Sequence, residues 1–188
     1  MPKTKSINFA TSNPGKVKEF RQNLEPQIKV VHIKMSYDEI QSQDSEEIAR
    51  KSAEMVAKML NKTVVVEDSG LFIDELNGFP GTFSADIHKQ IGLTGILKLM
   101  KGIKNRDCEY RSAVAYCEPG KKAISFLGIE KGTLSKKSKG KFGFGHDPVF
   151  IPKGSKKTYG QMPNAAELKK FRRMAVMKLR KYLLRNMD

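Results

Sequence analysis

Two adjacent carboxylates, Glu67 and Asp68, follow a short apolar run and offer the clearest potential for chemistry. The β-branched residues 64–66 are typical of a buried strand, and Ser69 with Gly70 predicts its end. Asp68 is therefore expected at the carboxyl end of a strand, where open α/β sheets place reactive groups. A buried carboxylate is costly there unless a metal ion, a cation or a substrate compensates for it. The alternative is an aspartate that caps a turn after a core strand.

The first loop of the chain has the parts of a phosphate cradle. It offers hydroxyl and amide donors, a glycine, and a lysine at the start of a predicted helix, whose N-terminus favours anions. These residues are Thr11, Ser12, Asn13, Pro14, Gly15 and Lys16. The spacing is not that of a P-loop. An ordinary N-capped turn is the alternative.

Glu39 and Lys51 are further candidates. Glu39 lies in a polar loop, and together with Asp68 it could complete a magnesium site, because magnesium takes few protein carboxylates and shares substrate phosphates. Lys51 lies about 60° from the centre of its helix's apolar stripe. That position is consistent with a lysine reaching into a cleft or with one that snorkels to solvent.

A glycine-interleaved loop near residue 145 has the composition of a base-binding site. It supplies an aromatic face, hydrogen-bonding groups and room for a flat ligand in Phe144, Gly145, His146 and Asp147. The alternative is a turn with a packed phenylalanine. His146 has no second histidine nearby in sequence, so a zinc site is not indicated.

The elements that must position these residues alternate between strand and helix, which predicts an α/β fold. Strands are predicted at residues 7–10, 29–33 and 64–68, and antiparallel neighbours at 109–116 and 122–126, with 128–134 as an extension. Helices are predicted at residues 16–24, after Asp44, at 91–100 and at 165–184. The length of 188 residues suits one domain spanning 1–188.

Charge is concentrated late in the chain. Residues 130–188 hold 16 Lys/Arg against 4 Asp/Glu, within a net charge of +15. Such an excess predicts an anionic partner, either nucleotide phosphate, nucleic acid or an acidic membrane, or else a solvated lysine-rich face. The two cysteines are expected to be reduced core residues, and no run approaches membrane-spanning length. A cytoplasmic protein that does not bind membranes is the expectation.

Taken together, these segments resemble the ITP/XTP pyrophosphatases, which act on non-canonical purine nucleoside triphosphates. The resemblance runs nearly end to end. It covers the opening loop at residues 9–16, the acidic loop at 37–41, the central blocks at 66–71 and 76–81, the loop at 142–150 and a late turn at 158–162.

The resemblance implies an elongated mixed sheet with flanking helices, two lobes around a substrate cleft, and a homodimer. It implies Mg²⁺-dependent cleavage of ITP, dITP or XTP to the monophosphate and pyrophosphate. By matching positions, Asp68 would be the general base or a metal-linked carboxylate, and Glu39 a metal ligand. The remaining roles are phosphate binding by Lys16 and Lys51, lining of that site by Thr11, Ser12, Asn13 and Ser69, and base binding by Phe144, Gly145, His146 and Asp147.

The chain departs from the family pattern near its end. A Ser-His pair that usually precedes an arginine on the last helix is missing, and aligning Ala175 requires a deletion of about one residue. Arg172 and Arg173 are predicted to replace the base-contacting pair, and Lys169 the phosphate lysine. These changes affect selectivity and rate more than the type of reaction.

Two other functions remain open at this stage. One is a nucleic-acid-binding relative that kept the fold and lost catalysis, although intact Glu39, Asp68 and Lys16 argue against it, so nucleic acid is not expected as a partner. The other is a pyrophosphatase of the septum-inhibitor type that acts on modified pyrimidines, whose opening motif the chain lacks.

Overall fold

The computed structural model describes residues 5–186. Its strands are β1 Lys5–Ala10, β2 Ile28–Ile33, β3 Val64–Ile73, β4 Pro80–Gly81, β5 Asp107–Cys117, β6 Ile124–Leu134 and β7 Phe150–Pro152. Its α-helices are α1 Pro14–Leu24, α2 Ser45–Leu60, α3 Ser84–Leu99, α4 Ala165–Leu168 and α5 Lys170–Asn186. The strands form one sheet in the order β2-β1-β3-β5-β6-β7, with β4 paired to β3.

The sheet is mixed. β1 runs parallel to both β2 and β3, whereas β4 is antiparallel to β3 and β7 is antiparallel to β6. The predicted mixed α/β fold with flanking helices is therefore confirmed. Among residues 5–186, no helix is both long and apolar enough to cross a membrane.

The chain divides into two compact units. The first comprises the chain up to Asp68, Ser112–Gly128 and the segment from Lys170 onwards, and the second comprises Ser69–Arg111 and Ile129–Lys169. The single domain spanning 1–188, with two lobes around a cleft, stays a prediction.

Helices cover both faces of β3 in the first unit. Val65 packs with Phe20 of α1 and Leu179 of α5. Val64 and Val66 pack instead with alanines of α2. Because successive side chains of a strand point to opposite faces, Glu67 continues the face that α1 and α5 cover, and Asp68 continues the face of α2.

The prediction that Ser69 and Gly70 end this strand is wrong, because β3 continues to Ile73. Leu71 and Phe72 pair with β4 beyond the expected turn, and the Leu71 nitrogen donates to the Ser84 hydroxyl at 2.8 Å. Gly70 permits this pairing, since a Cβ there would lie 2.0 Å from the carbonyl oxygen of Gly81. Asp68 therefore lies within a strand and not at its end.

Two helices also differ from their predicted bounds. The helix expected at residues 91–100 begins at Ser84 and is kinked at Gly92, whose φ is 60°. The terminal helix expected at 165–184 is divided, because Lys169 has extended backbone angles (φ −60°, ψ 108°) between α4 and α5. The other predicted strands agree with the structure to within a few residues, apart from extensions of β5 and β6.

Candidate active site

The first predicted group of site residues surrounds the start of α1. Asn13 caps this helix, and its Oδ1 accepts hydrogen bonds from the backbone nitrogens of Gly15 (2.8 Å) and Lys16 (3.3 Å). Thr11 is buried, and its Oγ1 accepts from the Asn13 nitrogen at 3.1 Å. Ser12 is exposed to solvent. The loop is therefore fixed by its own side chains ahead of a helix N-terminus, an arrangement that favours anions.

Lys16 reaches from this helix to β3. Its Nζ lies 2.8 Å from Oε2 of Glu67 and donates to the Glu67 carbonyl oxygen at 2.9 Å. Its charge also opposes the rise that burial causes in the pKa of Asp68. The residue predicted to bind phosphate thus lies beside both carboxylates of β3.

Glu67 is the centre of a buried polar network. Its Oε1 accepts from Nε of Arg172 at 2.8 Å and from the Ser112 hydroxyl at 2.6 Å, and Arg172 also bonds to Glu19. Burial by itself would raise the pKa of Glu67, but Arg172 and Lys16 outweigh it and lower this pKa to about 2. Glu67 therefore stays ionised and fully partnered.

Asp68 has the opposite environment. It is 6% exposed, and within the described residues its Oδ2 has no hydrogen-bond partner. Burial raises the pKa of Asp68 to about 7, and the charges of Glu39 and Glu67 add to the rise, whereas Lys16 and the nearby Ser45 hydroxyl oppose it. A buried carboxyl with an unused oxygen near neutral pKa is suited to exchange a proton or to accept a cation.

The carboxylates fit a cation that also binds substrate. No three His, Cys, Asp or Glu side chains within residues 5–186 are arranged to hold a metal ion by themselves. Magnesium is commonly bound through one or two carboxylates plus substrate phosphates. The unused Oδ2 of Asp68, with Glu39 close enough to raise its pKa, is consistent with such a donor set.

The second predicted group is organised around Asp147 in the second unit. Its Oδ2 accepts from the Phe144 backbone nitrogen at 2.7 Å and lies 2.8 Å from Nζ of Lys169. Its Oδ1 accepts from the Tyr110 hydroxyl at 3.3 Å. The Lys169 ammonium also lies 4.0 Å from the centroid of the Phe144 ring. A buried ion pair therefore fixes an aromatic face and a cation next to each other.

Glycines allow this loop to wrap around Asp147. Gly143 has a φ of 75°, and a Cβ there would lie 2.1 Å from Oδ2 of Asp147. Gly145 also has a positive φ, 60°, with open space around the position of a Cβ. Of these two glycines, Gly143 is therefore the one required by contact as well as by backbone conformation.

His146 follows the same loop into the interior. It is 4% exposed, and in the described part of the chain its Nε2 has no hydrogen-bond partner. His88 of α3 meets it edge-on, with ring centroids 5.2 Å apart. Burial, and secondarily His88, lower the pKa of His146 to about 4, so the ring is neutral at physiological pH.

Several predicted residues have surroundings that differ from expectation. The guanidinium of Arg172 is occupied by Glu67 and Glu19, which are not base-like partners. Lys169, predicted to bind phosphate, is paired with Asp147 of the base loop. Lys51 and Arg173 are exposed, and Ser69 is partly buried in β3. Their roles stay predictions.

Sequence reasoning missed several members of these networks. It gave no role to Glu67, Glu19 or Tyr110, and it did not place His88 beside His146. Tyr37 was also missed, although burial and then Glu39, Glu67 and Asp68 raise its pKa far above the usual value. The only local signal was the position of Tyr37 two residues before Glu39, since the other contacts join segments far apart in sequence.

This combination of a mixed sheet, a carboxylate cluster next to a helix N-terminus and a lysine-backed aromatic loop is consistent with an enzyme of nucleotide chemistry. The Ham1 family model matches residues 7–182, and the chain belongs to the Ham1 family. A dITP/XTP pyrophosphatase from Methanopyrus kandleri is 46% identical over 157 residues, which are 83% of this chain and 84% of that protein.

Two further comparisons agree. A dITP/XTP pyrophosphatase from Korarchaeum cryptofilum is 40% identical over 177 residues, which cover 94% of this chain and 95% of that protein. The structure of the Staphylococcus aureus Ham1 protein is similar with a TM-score of 0.79 and 27% identity, over 94% of this chain and 98% of that one.

Proposed function

We propose that this protein hydrolyses the non-canonical purine nucleoside triphosphates ITP, dITP and XTP to the monophosphate and pyrophosphate, and so removes them from the nucleotide pool. Support comes from membership of the Ham1 family and from relatives named dITP/XTP pyrophosphatase over most of the chain. The nucleic-acid-binding alternative is not favoured, because these relatives are enzymes.

The observation that carries the proposal is the state of Asp68. A general base works best when its pKa is near the operating pH, and burial raises the pKa of Asp68 to about 7. Its unused Oδ2 can accept a proton from an attacking water. Lys16 of α1 pairs with Glu67, the residue before Asp68 in β3, and supplies positive charge for phosphate oxygens.

Glu39 and Asp68 would hold Mg²⁺. When bound, the ion supplies charge neutralisation for the phosphate oxygens during transfer. The protein's own part is to keep Glu67 saturated by Arg172, Lys16 and Ser112, so that Asp68 is the carboxylate of β3 left available for substrate.

The loop around Asp147 would bind the purine. A base can stack on the Phe144 ring. The Lys169 ammonium has donors only, so it suits the 6-oxo group of hypoxanthine or xanthine and leaves the 6-amino group of adenine unmatched. Asp147 holds that lysine in place at 2.8 Å.

Release of pyrophosphate from a panel of purified nucleoside triphosphates tests the proposal. We expect turnover of ITP, dITP and XTP well above that of ATP and GTP, and abolition by a chelator that added magnesium reverses. Equal rates on all purine triphosphates would reject the assigned specificity, and turnover with chelator present would reject the metal requirement.

A homodimer and a cytoplasmic location are part of the same proposal. Helix α3 supports the dimer, because Phe83 at its N-cap and Ile91 and Leu99 within it are exposed apolar side chains. Light scattering should give a dimer mass that Ile91→Lys lowers to that of a monomer. An unchanged mass in that variant would exclude α3 as the interface.

The cytoplasmic location is supported by the cysteines. Cys108 and Cys117 are buried and free, which is consistent with a reducing compartment.

A further inference from the structure

The second unit contains a cavity of about 520 Å³ that no step of the proposed reaction uses. It lies where β5 begins and where β6 leads into a lysine-rich loop. The cavity is lined by Lys104, Asn105, Arg106, Asp107, Thr133, Leu134, Ser135, Lys136, Lys137, Lys139 and Ile151. None of these residues belongs to the carboxylate cluster or to the loop around Asp147. We propose that this cavity binds a short phosphate chain, either free as pyrophosphate or tripolyphosphate, or as part of a nucleotide.

The first argument is the charge of the lining. Four lysines and Arg106 line the cavity, against the single carboxylate of Asp107. In the part of the chain that the structure describes, none of these lysines forms an ion pair. The Arg106 guanidinium donates hydrogen bonds to the carbonyl oxygens of Met100, Leu134 and Ser135, so its charge is not neutralised by a carboxylate either.

The second argument is that the backbone of the loop that carries three of the lysines is held in place. The Ser135 nitrogen donates to the carbonyl oxygen of Val149 at 2.7 Å, and the Lys139 nitrogen donates to that of Pro148 at 2.8 Å. Between them, the Ser135 hydroxyl donates to the Lys137 carbonyl oxygen at 2.7 Å. A backbone fixed in this way lowers the part of the ordering cost of binding an anion that comes from the loop itself.

The third argument concerns which part of a ligand is recognised. Among residues 5–186, no aromatic side chain lines the cavity, so a base has no ring there to stack on, and the large apolar residues of the lining are Leu134 and Ile151. The volume exceeds that of a single phosphate and admits a chain of two or three. Recognition therefore depends on the phosphate chain, whatever it is attached to.

A competing explanation is that the lysines protect a sheet edge. β7 is the last strand in the sheet order, and lysines near such edges discourage pairing with other chains. That role requires no ligand. It predicts that phosphate chains bind no better here than to any other lysines on the surface.

The test is calorimetric titration of the whole protein with sodium tripolyphosphate at low salt. Tripolyphosphate is also expected to bind at Lys16 of the active site, and the substitution Lys16→Gln removes this second class of binding sites. The double variant Lys104→Gln/Lys137→Gln should weaken the remaining class about 10-fold, the sum of two partly exposed ion pairs. The control Lys29→Gln/Lys62→Gln removes the same charge from exposed positions of the first unit. It should bind like wild type.

Turnover of ITP by the Lys104/Lys137 variant should stay at the wild-type level. Titration with a non-hydrolysable ITP analogue in the Lys16→Gln protein distinguishes the two sources. If the analogue binds as tightly as tripolyphosphate, the cavity also binds the phosphates of nucleotides. If tripolyphosphate binds and the analogue does not, the cavity binds the free chain. Equal losses in the cavity and control variants would overturn the proposal. So would binding of oligodeoxythymidylate without measurable affinity for tripolyphosphate.

Discussion

Arg172 and Glu67 form a fully buried ion pair in the first unit, with Nε of the arginine 2.8 Å from Oε1 of the glutamate. The pair has a consequence for the next residue of β3. Burial raises the pKa of both carboxyls, but at Glu67 the charges of Arg172 and Lys16 outweigh it and lower the pKa to about 2, whereas at Asp68 burial prevails and raises the pKa to about 7. Two adjacent carboxylates on opposite faces of one strand therefore have opposite electrostatic environments, one ionised and paired and the other with a raised pKa.

Breaking this pair should unfold the protein more readily. Arg172→Met removes the cation and leaves the carboxylates of Glu67 and Glu19 buried, so we expect a loss of about 3–5 kcal/mol in the free energy of unfolding. Urea denaturation measures it. The matched control is Arg173→Met, at an exposed position of the same helix, where a change within about 0.5 kcal/mol is expected. Similar losses in both variants would mean that burial of the pair is not what stabilises the fold.

Asp68→Asn should remove most of the activity. The amide keeps the shape of the side chain but cannot take a proton from water, so kcat for ITP should fall by about 10²–10⁴. Asp38→Asn, at an exposed position of the loop that carries Glu39, should stay within a few-fold of wild type. Retention of activity in Asp68→Asn would reduce this aspartate to a structural residue.

The same variant should alter how stability depends on pH. The folded pKa of Asp68 is about 7, above the ordinary value of 3.8 for an aspartate, so between those pH values the folded state binds more protons than the unfolded state. Stability from this group is therefore complete below the unfolded pKa and is lost as pH rises from there to about 7. In metal-free protein, Asp68→Asn should be more stable than wild type at pH 8, by about 2 kcal/mol or more.

Thermal melts at pH 4 and 8 of both proteins, with chelator present, measure this difference. The gap between variant and wild type should be small at pH 4 and large at pH 8. Addition of magnesium should stabilise wild type at pH 8 and leave the variant almost unchanged. A gap that is independent of pH would show that Asp68 does not titrate in this range.

Gly143→Ala should disturb the base loop more than its backbone strain explains. Both Gly143 (φ 75°) and Gly154 (φ 87°) have left-handed conformations, but only at Gly143 would a Cβ strike a side chain, that of Asp147. Each alanine should cost about 1–2 kcal/mol in stability from its positive φ. Only the Gly143 variant should also raise KM for ITP, because Asp147 must move away from Lys169. Equal KM values for both variants would show that the position of Asp147 does not affect substrate binding.

Much of the fold followed from local sequence, but the networks did not. Apolar runs located β1, β2 and the start of β3, and a loop of cap-forming residues located the entry to α1, because these signals act within a few residues. The end of β3 was mispredicted, since Ser69 and Gly70 favour a turn that pairing with β4 overrides. Arg172 and Glu67 are 105 residues apart, so no local pattern could indicate their pair.

The loop around Asp147 shows the same limit. Composition indicated Phe144 and Asp147 as base-binding residues, and matching the last helix to the family pattern predicted phosphate binding by Lys169 and base contact by Arg172 or Arg173. The break between α4 and α5 at Lys169 was not visible in the helical periodicity. It lets the lysine turn into the interior, where it is 2% exposed and pairs with Asp147.

The final prediction concerns which cation selects the base. Lys169→Met keeps an unbranched side chain against the Phe144 ring but removes the donors suited to a 6-oxo group. The ratio of kcat/KM for ITP to that for ATP should therefore fall about 10-fold or more, in line with about 1–3 kcal/mol for an unmatched buried polar group. Because this change leaves Asp147 unpaired, the double variant Lys169→Met/Asp147→Asn keeps the test valid if the single variant is unstable. Arg173→Met is the control, and it also tests the alternative that Arg173 selects the base. Its ratio of kcat/KM for ITP to that for ATP should equal the wild-type ratio. If this ratio falls in Arg173→Met and stays unchanged in both Lys169 variants, base selection would instead be assigned to Arg173, the exposed arginine of α5.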